Sequence, residues 1–145
     1  MPEPTRTDFS PEAWNERSRG FFPGLIGLEL TGSEPGVATG RLPVRRDLLA
    51  PNGYLHAATV IGLADTLCGY GALSNLPDGA TGFTTIETKS NHLGTAREGV
   101  INGRARLLHG GRMTQVWDAE ISDEATGKVI ALFRCTQMLL YPREG

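Results

Sequence analysis

The sequence predicts an α+β fold in which one long central α-helix is wrapped by a curved antiparallel β-sheet of about six strands. Two observations predict it. From Leu55 to Ser74 the chain reads LHAATVIGLADTLCGYGALS, apolar on nearly every side, so as a helix it must be covered on nearly every side. The other long segments read as strands, two before this helix and four after, separated by glycine and proline punctuation. One strongly bent sheet can cover such a helix, and a second copy of the chain can complete the cover.

Taken in order, Met1 to Phe9 is polar and proline-rich and reads as a loose arm. Ser10-Pro11-Glu12 starts a short helix, with a hydroxyl cap, a proline in the first turn and an early acid; the helix should stop near Gly20. Residues 1–24 are thus an arm and a short helix, and 25–145 form the main body of a single domain. LIGLELTGSEPGVATGRLPV reads as two strands joined by a turn at Ser33-Glu34-Pro35-Gly36. The turn Pro51-Asn52-Gly53 then leads into the long helix, which NLPDGATG ends. Four strands follow: GFTTIETKSNHL, GVINGRARLL, RMTQVWDAEISD and KVIALFRCTQMLLY. Their breaks at Arg97-Glu98-Gly99, His109-Gly110-Gly111 and Glu124-Ala125-Thr126-Gly127 read as hairpin connections.

A chain of 145 residues can bury a core without metal or disulfide. Its net charge of −2 gives no sign of a nucleic-acid surface. Cys68 and Cys135 form no ligand cluster and read as reduced core residues. With no apolar leader at the N-terminus, and no segment judged to approach the ~20 apolar residues of a membrane span, a soluble cytoplasmic protein with no membrane partner is expected.

Within this apolar stretch, Asp65 is the one formally charged residue between Leu48 and Pro77. Buried and alone, a carboxylate is costly, so it must be paired, neutralised or working. His56 precedes it by nine residues, about 900° of helical rotation and roughly 13–14 Å of rise, so the two side chains lie on opposite faces. If they act together, they come from different chains across a two-fold axis. His56 also stands in the first helical turn, where free backbone N–H groups near Ala57 and Ala58 suit a developing oxyanion. Blander roles compete: His56 as a cap or core residue, and Asp65 as a structural acid bonded to Thr66 or Thr85.

Asn52-Gly53-Tyr54-Leu55-His56-Ala57-Ala58, followed by Leu63-Ala64-Asp65-Thr66, resembles the hotdog-fold acyl-CoA thioesterases of the 4-hydroxybenzoyl-CoA and phenylacetate-pathway type. Gly82-Phe83-Thr84-Thr85-Ile86 and Gly111-Arg112 extend the similarity, which covers Leu25 to Tyr141. The resemblance implies hydrolysis of an acyl-CoA thioester at a homodimer interface, with dimers pairing into a homotetramer. It implies no cofactor, coenzyme A entering only as part of the substrate.

By position, the resemblance makes Asp65 the general base or nucleophile and the Ala57 amide the oxyanion donor, with His56 beside it. Thr85 becomes a hydroxyl that positions water. Two departures stand out: His56-Ala57-Ala58 replaces the family's His-Gly-Gly, and Ala50 stands where many relatives place an amide side chain, with Asn52 nearby but offset. Asn52 and Gly53 on the turn, with Lys89, Arg97 and Arg112, are the candidates for substrate and coenzyme A contacts; guanidinium groups suit phosphate. Tyr54, Leu73, Leu76 and Phe83 are candidates to line an acyl pocket. A hotdog hydratase or dehydratase, and a non-catalytic acyl-CoA or acyl-carrier binding protein, are the competing functions.

Overall fold

A computed structural model of the chain describes residues 8–143. Of the arm expected over Met1–Phe9, all but Asp8 and Phe9 lies outside the described residues. The elements are α1 (Pro11–Ser18), α2 (Phe22–Leu25), β1 (Glu29–Glu34), β2 (Val37–Pro43), a 3-10 turn (Arg46–Leu48), α3 (Ala57–Ser74), β3 (Gly82–His92), β4 (Val100–Gly110), β5 (Thr114–Asp123) and β6 (Val129–Leu140).

α1 starts as its sequence predicts: Ser10 Oγ accepts the Ala13 N–H at 3.2 Å and Pro11 sits in the first turn. The short helix α2 was not expected. Pro23 stands at its start, where a fixed φ suits the first helical turn. Between β1 and β2, Gly36 takes φ 74°, a left-handed conformation that favours glycine, and Glu34 pairs directly with Val37. α3 begins two residues later than the apolar pattern suggests. His56 is its N-cap in extended conformation, and Leu55 is held by a bridge to Leu49.

The six strands form one antiparallel sheet in the order β1-β2-β4-β5-β6-β3. One connection differs from expectation. The break at Arg97-Glu98-Gly99 joins β3 to β4, which are not neighbours, so it is a crossover and not a hairpin. Periodicity finds strands, but pairing order is decided by where α3 crosses. The chain leaves β2, lays α3 across the strands that will become β4 and β5, and returns as β3 at the far edge.

Leu63, Ala64, Leu67, Cys68 and Ala72 of α3 are fully buried against Leu42, Ile101, Ala105, Trp117 and Ile121 of the sheet. On another side of the helix, Trp14 of α1 stacks on Tyr70, with centroids 4.1 Å apart and planes within 8°. Ser18 Oγ and Tyr70 Oη lie 2.6 Å apart and tie the same two helices. A stripe stays open: Ala58 is exposed and Ile61 and Asp65 are half-buried. Eighteen residues long with a mean hydropathy of 1.2, α3 comes closer to the dimensions of a bilayer span than the sequence reading allowed. Its apolar surface is instead spent on the sheet and on α1.

Candidate active site

At the N-terminal end of α3, His56 closes the helix through its own ring. Its Nδ1 accepts the Ala58 N–H at 2.9 Å, which leaves any single ring proton on Nε2. The Ala58 amide is thereby occupied. The Ala57 N–H has no acceptor among the described residues, so of the two amides expected from sequence this one alone faces outward. His56 and Ala57 are both exposed.

The preceding turn is built locally. Asn52 Oδ1 accepts the Tyr54 N–H at 3.1 Å, an Asx turn that uses the side-chain oxygen, and Gly53 takes φ 85°. Ala50, half-buried, exchanges backbone bonds with Tyr54 and Gly53. The Arg97 guanidinium lies over the Tyr54 ring, 4.1 Å from its centroid, and the Leu55 N–H donates to the Ala96 carbonyl. Asn52, Gly53, His56, Ala57 and Arg97 therefore gather at one end of α3.

Asp65 lies at the middle of the helix. Its Oδ1 is buried and has no hydrogen-bond partner among the described residues. Neither hydroxyl offered by the structural-acid reading reaches that oxygen. The Thr85 hydroxyl donates instead to Gln137 Oε1 at 2.6 Å. Burial holds the Asp65 carboxyl above its ordinary value, because the charged form loses water without gaining a partner.

Thr85 can be placed along α3 from the residues around it. Phe83, on the same face of β3, packs against Gly69, where a Cβ would stand 3.1 Å from its Cζ. From there β3 runs toward the start of α3, since Ala96 meets Leu55. Two strand residues onward is about 6–7 Å, and four helix residues back from Gly69 to Asp65 is about 6 Å. Thr85 and Asp65 are thus level, on facing surfaces. Thr85 is exposed because β3 is an edge strand whose inner face α3 covers only in part.

The remaining cations are dispersed. Lys89 pairs in register with Arg134 and so faces the outer side of the sheet, beside the bidentate Arg134–Asp118 pair at 2.6 and 2.9 Å. It lines an outer-face cavity of about 730 Å³ with Arg104 and Arg106, away from Asp65. Arg112 lies on the β4–β5 turn, where its carbonyl accepts the Tyr141 hydroxyl, close to Gly79 beyond the C-terminal end of α3. Arg97 and Arg112 therefore sit at opposite ends of an 18-residue helix, about 27 Å long.

One polar residue beside the site escaped the sequence reading. Gln137 is fully buried, accepts from Thr85 and donates through Nε2 to Cys135 Sγ at 3.5 Å. Its only signal was a polar residue at an inward position in the alternation of β6. Cys135 adjoins Cys68, whose thiol it and burial together hold well above the usual range.

Comparison with known proteins places the chain among hydrolases. The thioesterase superfamily model matches residues 52–130. The chain is 34% identical over 111 residues to the 1,4-dihydroxy-2-naphthoyl-CoA hydrolase of Listeria monocytogenes, covering 77% of this chain and 89% of that one. The Escherichia coli enzyme of the same name is 30% identical over 129 residues, covering 89% and 93%. A mutant thioesterase from Pseudomonas aeruginosa superposes with a TM-score of 0.86 at 26% identity, over 92% of this chain and 95% of that one. A thioesterase from Haemophilus influenzae gives 0.85 at 26% identity, over 96% of each chain.

Proposed function

Because this chain belongs to the thioesterase superfamily, we propose that it hydrolyses an acyl-CoA thioester with Asp65 as general base, in a site shared between two copies. The observation that carries this reading is the buried, unpartnered Oδ1 of Asp65 on the half-open stripe of α3. A structural acid would have a partner.

In the proposed reaction a water held between Asp65 and Thr85 attacks the thioester carbon. Asp65 takes one proton as the C–O bond forms, the carbonyl oxygen becomes an oxyanion, and the C–S bond then breaks to release the acid and coenzyme A, whose sulfur takes up the proton. The Ala57 amide of the second copy faces that oxyanion. Within one chain it lies about 12 Å along the helix from Asp65. The exposed inner face of β3 and the exposed start of α3 are surfaces that a second copy would cover.

For the acyl group we propose an aromatic acid. Phe22 approaches α3 at Gly62, where a Cβ would lie 3.1 Å from its Cε1, and Phe83 approaches at Gly69. The two rings flank Asp65 one turn to either side. The relatives named 1,4-dihydroxy-2-naphthoyl-CoA hydrolase favour the same choice. Ala50, which puts a methyl group where many relatives carry an amide, favours a second reading of acyl-CoA binding without hydrolysis.

Hydrolysis of an aryl-CoA thioester by the parent separates the two, and a variant then tests Asp65. Asp65→Asn keeps shape but removes the base, so kcat toward aryl-CoA thioesters should fall by about 10²–10⁴. An unchanged kcat in the folded variant would end the reading. Single turnover in ¹⁸O-water should leave no label in the protein if Asp65 activates water and does not itself attack.

A further inference from the structure

We propose, resting on the hydrolytic reading above, that Gln137 is a positioning residue that turns the Thr85 hydroxyl into an acceptor for the attacking water. Its register partner on β5, Gln115, is also a buried amide, but that one is held by Asn75 and Trp117, whereas Gln137 reaches the edge strand. The inward row of β6 is otherwise Ala131, Phe133, Cys135 and Leu139, all buried, and an apolar side chain at 137 would pack there without the cost of burying an amide. The amide's short bond, 2.6 Å, goes to Thr85, an exposed residue on the neighbouring edge strand.

A threonine hydroxyl has one proton and two lone pairs. With the proton committed to Gln137 Oε1, Thr85 Oγ1 can only accept from whatever occupies its open side. Asp65, level with it across the gap, is also an acceptor once ionised. A water between them gives one hydrogen to each, and its lone pair is left pointing at the thioester carbon. Without Gln137 the hydroxyl proton is free. It can donate to the Asp65 carboxylate, which occupies the base and lowers its pKa, or to the water, which turns the attacking lone pair away.

The test is a cycle of Thr85→Val, Gln137→Met and the double variant, measured with an aryl-CoA thioester. Gln137→Met should lower kcat by about 10-fold with KM unchanged, because orientation of the nucleophile is lost while substrate contacts remain. The acidic limb of its kcat–pH profile should move to lower pH. The double variant should match Thr85→Val in kcat and should lose that shift, whereas Thr85→Ser should keep most activity. A parental kcat in Gln137→Met, or losses that add in the double variant, would overturn the proposal. Thr85→Val alters an exposed position, so if Gln137→Met does not fold, a parental kcat in Thr85→Val still sinks it. Asp65→Asn separates the two levels. If it is inactive while the cycle is additive, the role of Gln137 alone falls; if it is fully active, Asp65 as general base falls as well.

Discussion

At the scale of the residue, the catalytic role proposed for Asp65 is set against stability. Burial raises its folded-state pKa above the unfolded value and nothing among the described residues offsets it. The folded state therefore favours the protonated form. The associated stability is full below the ordinary carboxylate pKa and is lost as pH rises through the raised one. At neutral pH the charge is a liability, so Asp65→Asn should melt at a higher temperature than the parent at pH 7 and show no advantage near pH 3. Thermal unfolding at the two pH values checks this. An asparagine variant less stable than the parent at pH 7 would mean that the carboxylate has gained a partner. For the same reason the acidic limb of kcat should lie above the ordinary carboxylate range.

At the scale of the element, α3 owes its position to what it lacks. Gly71 lies under the Trp117 ring, where a Cβ would stand 2.6 Å from Cη2 and 2.7 Å from Cζ3. That ring cannot swing aside, because it is fully buried and its indole N–H donates to Gln115 Oε1 at 2.8 Å. In an exposed helix glycine-to-alanine gains about 1 kcal/mol, whereas overpacking a filled core costs roughly 1–3 kcal/mol. Gly71→Ala should therefore destabilise on balance and lower Tm by a few degrees. A raised Tm would show that the sheet yields to the helix.

At the scale of the whole molecule, the proposed site needs two chains, and this can be tested without a structure of the assembly. Proline is tolerated at the first helical position, so Ala57→Pro removes the oxyanion amide while sparing the helix. Alone it should lose about 10²–10³ in kcat. Mixed and refolded with Asp65→Asn, it should regain activity in about a quarter of the sites, since half the dimers are mixed and each holds one intact site. No recovery in demonstrably mixed dimers would put base and amide in the same chain. Arg97, stacked on Tyr54 at the same end of α3, is the cation we propose for a coenzyme A phosphate. Arg97→Ala should raise KM with little change in kcat, and the effect should fade with salt. Equal KM at low salt would remove it from the site.

The six strands, the long helix and the carboxyl at its centre, Asp65, were legible in the sequence, because periodicity is a local property, whereas α2 and the true start of α3, two residues past Leu55, were not. Tertiary structure alone decided which strands pair, and so placed β3 at an edge and not in a hairpin with β4. It sent Lys89 to the outer face and Arg97 and Arg112 to opposite ends of α3, separations that no spacing along the chain encodes. It also joined Thr85 to Gln137 across 52 residues. A hydrogen bond between strands is set by register, and register is settled only when the whole sheet closes on its helix.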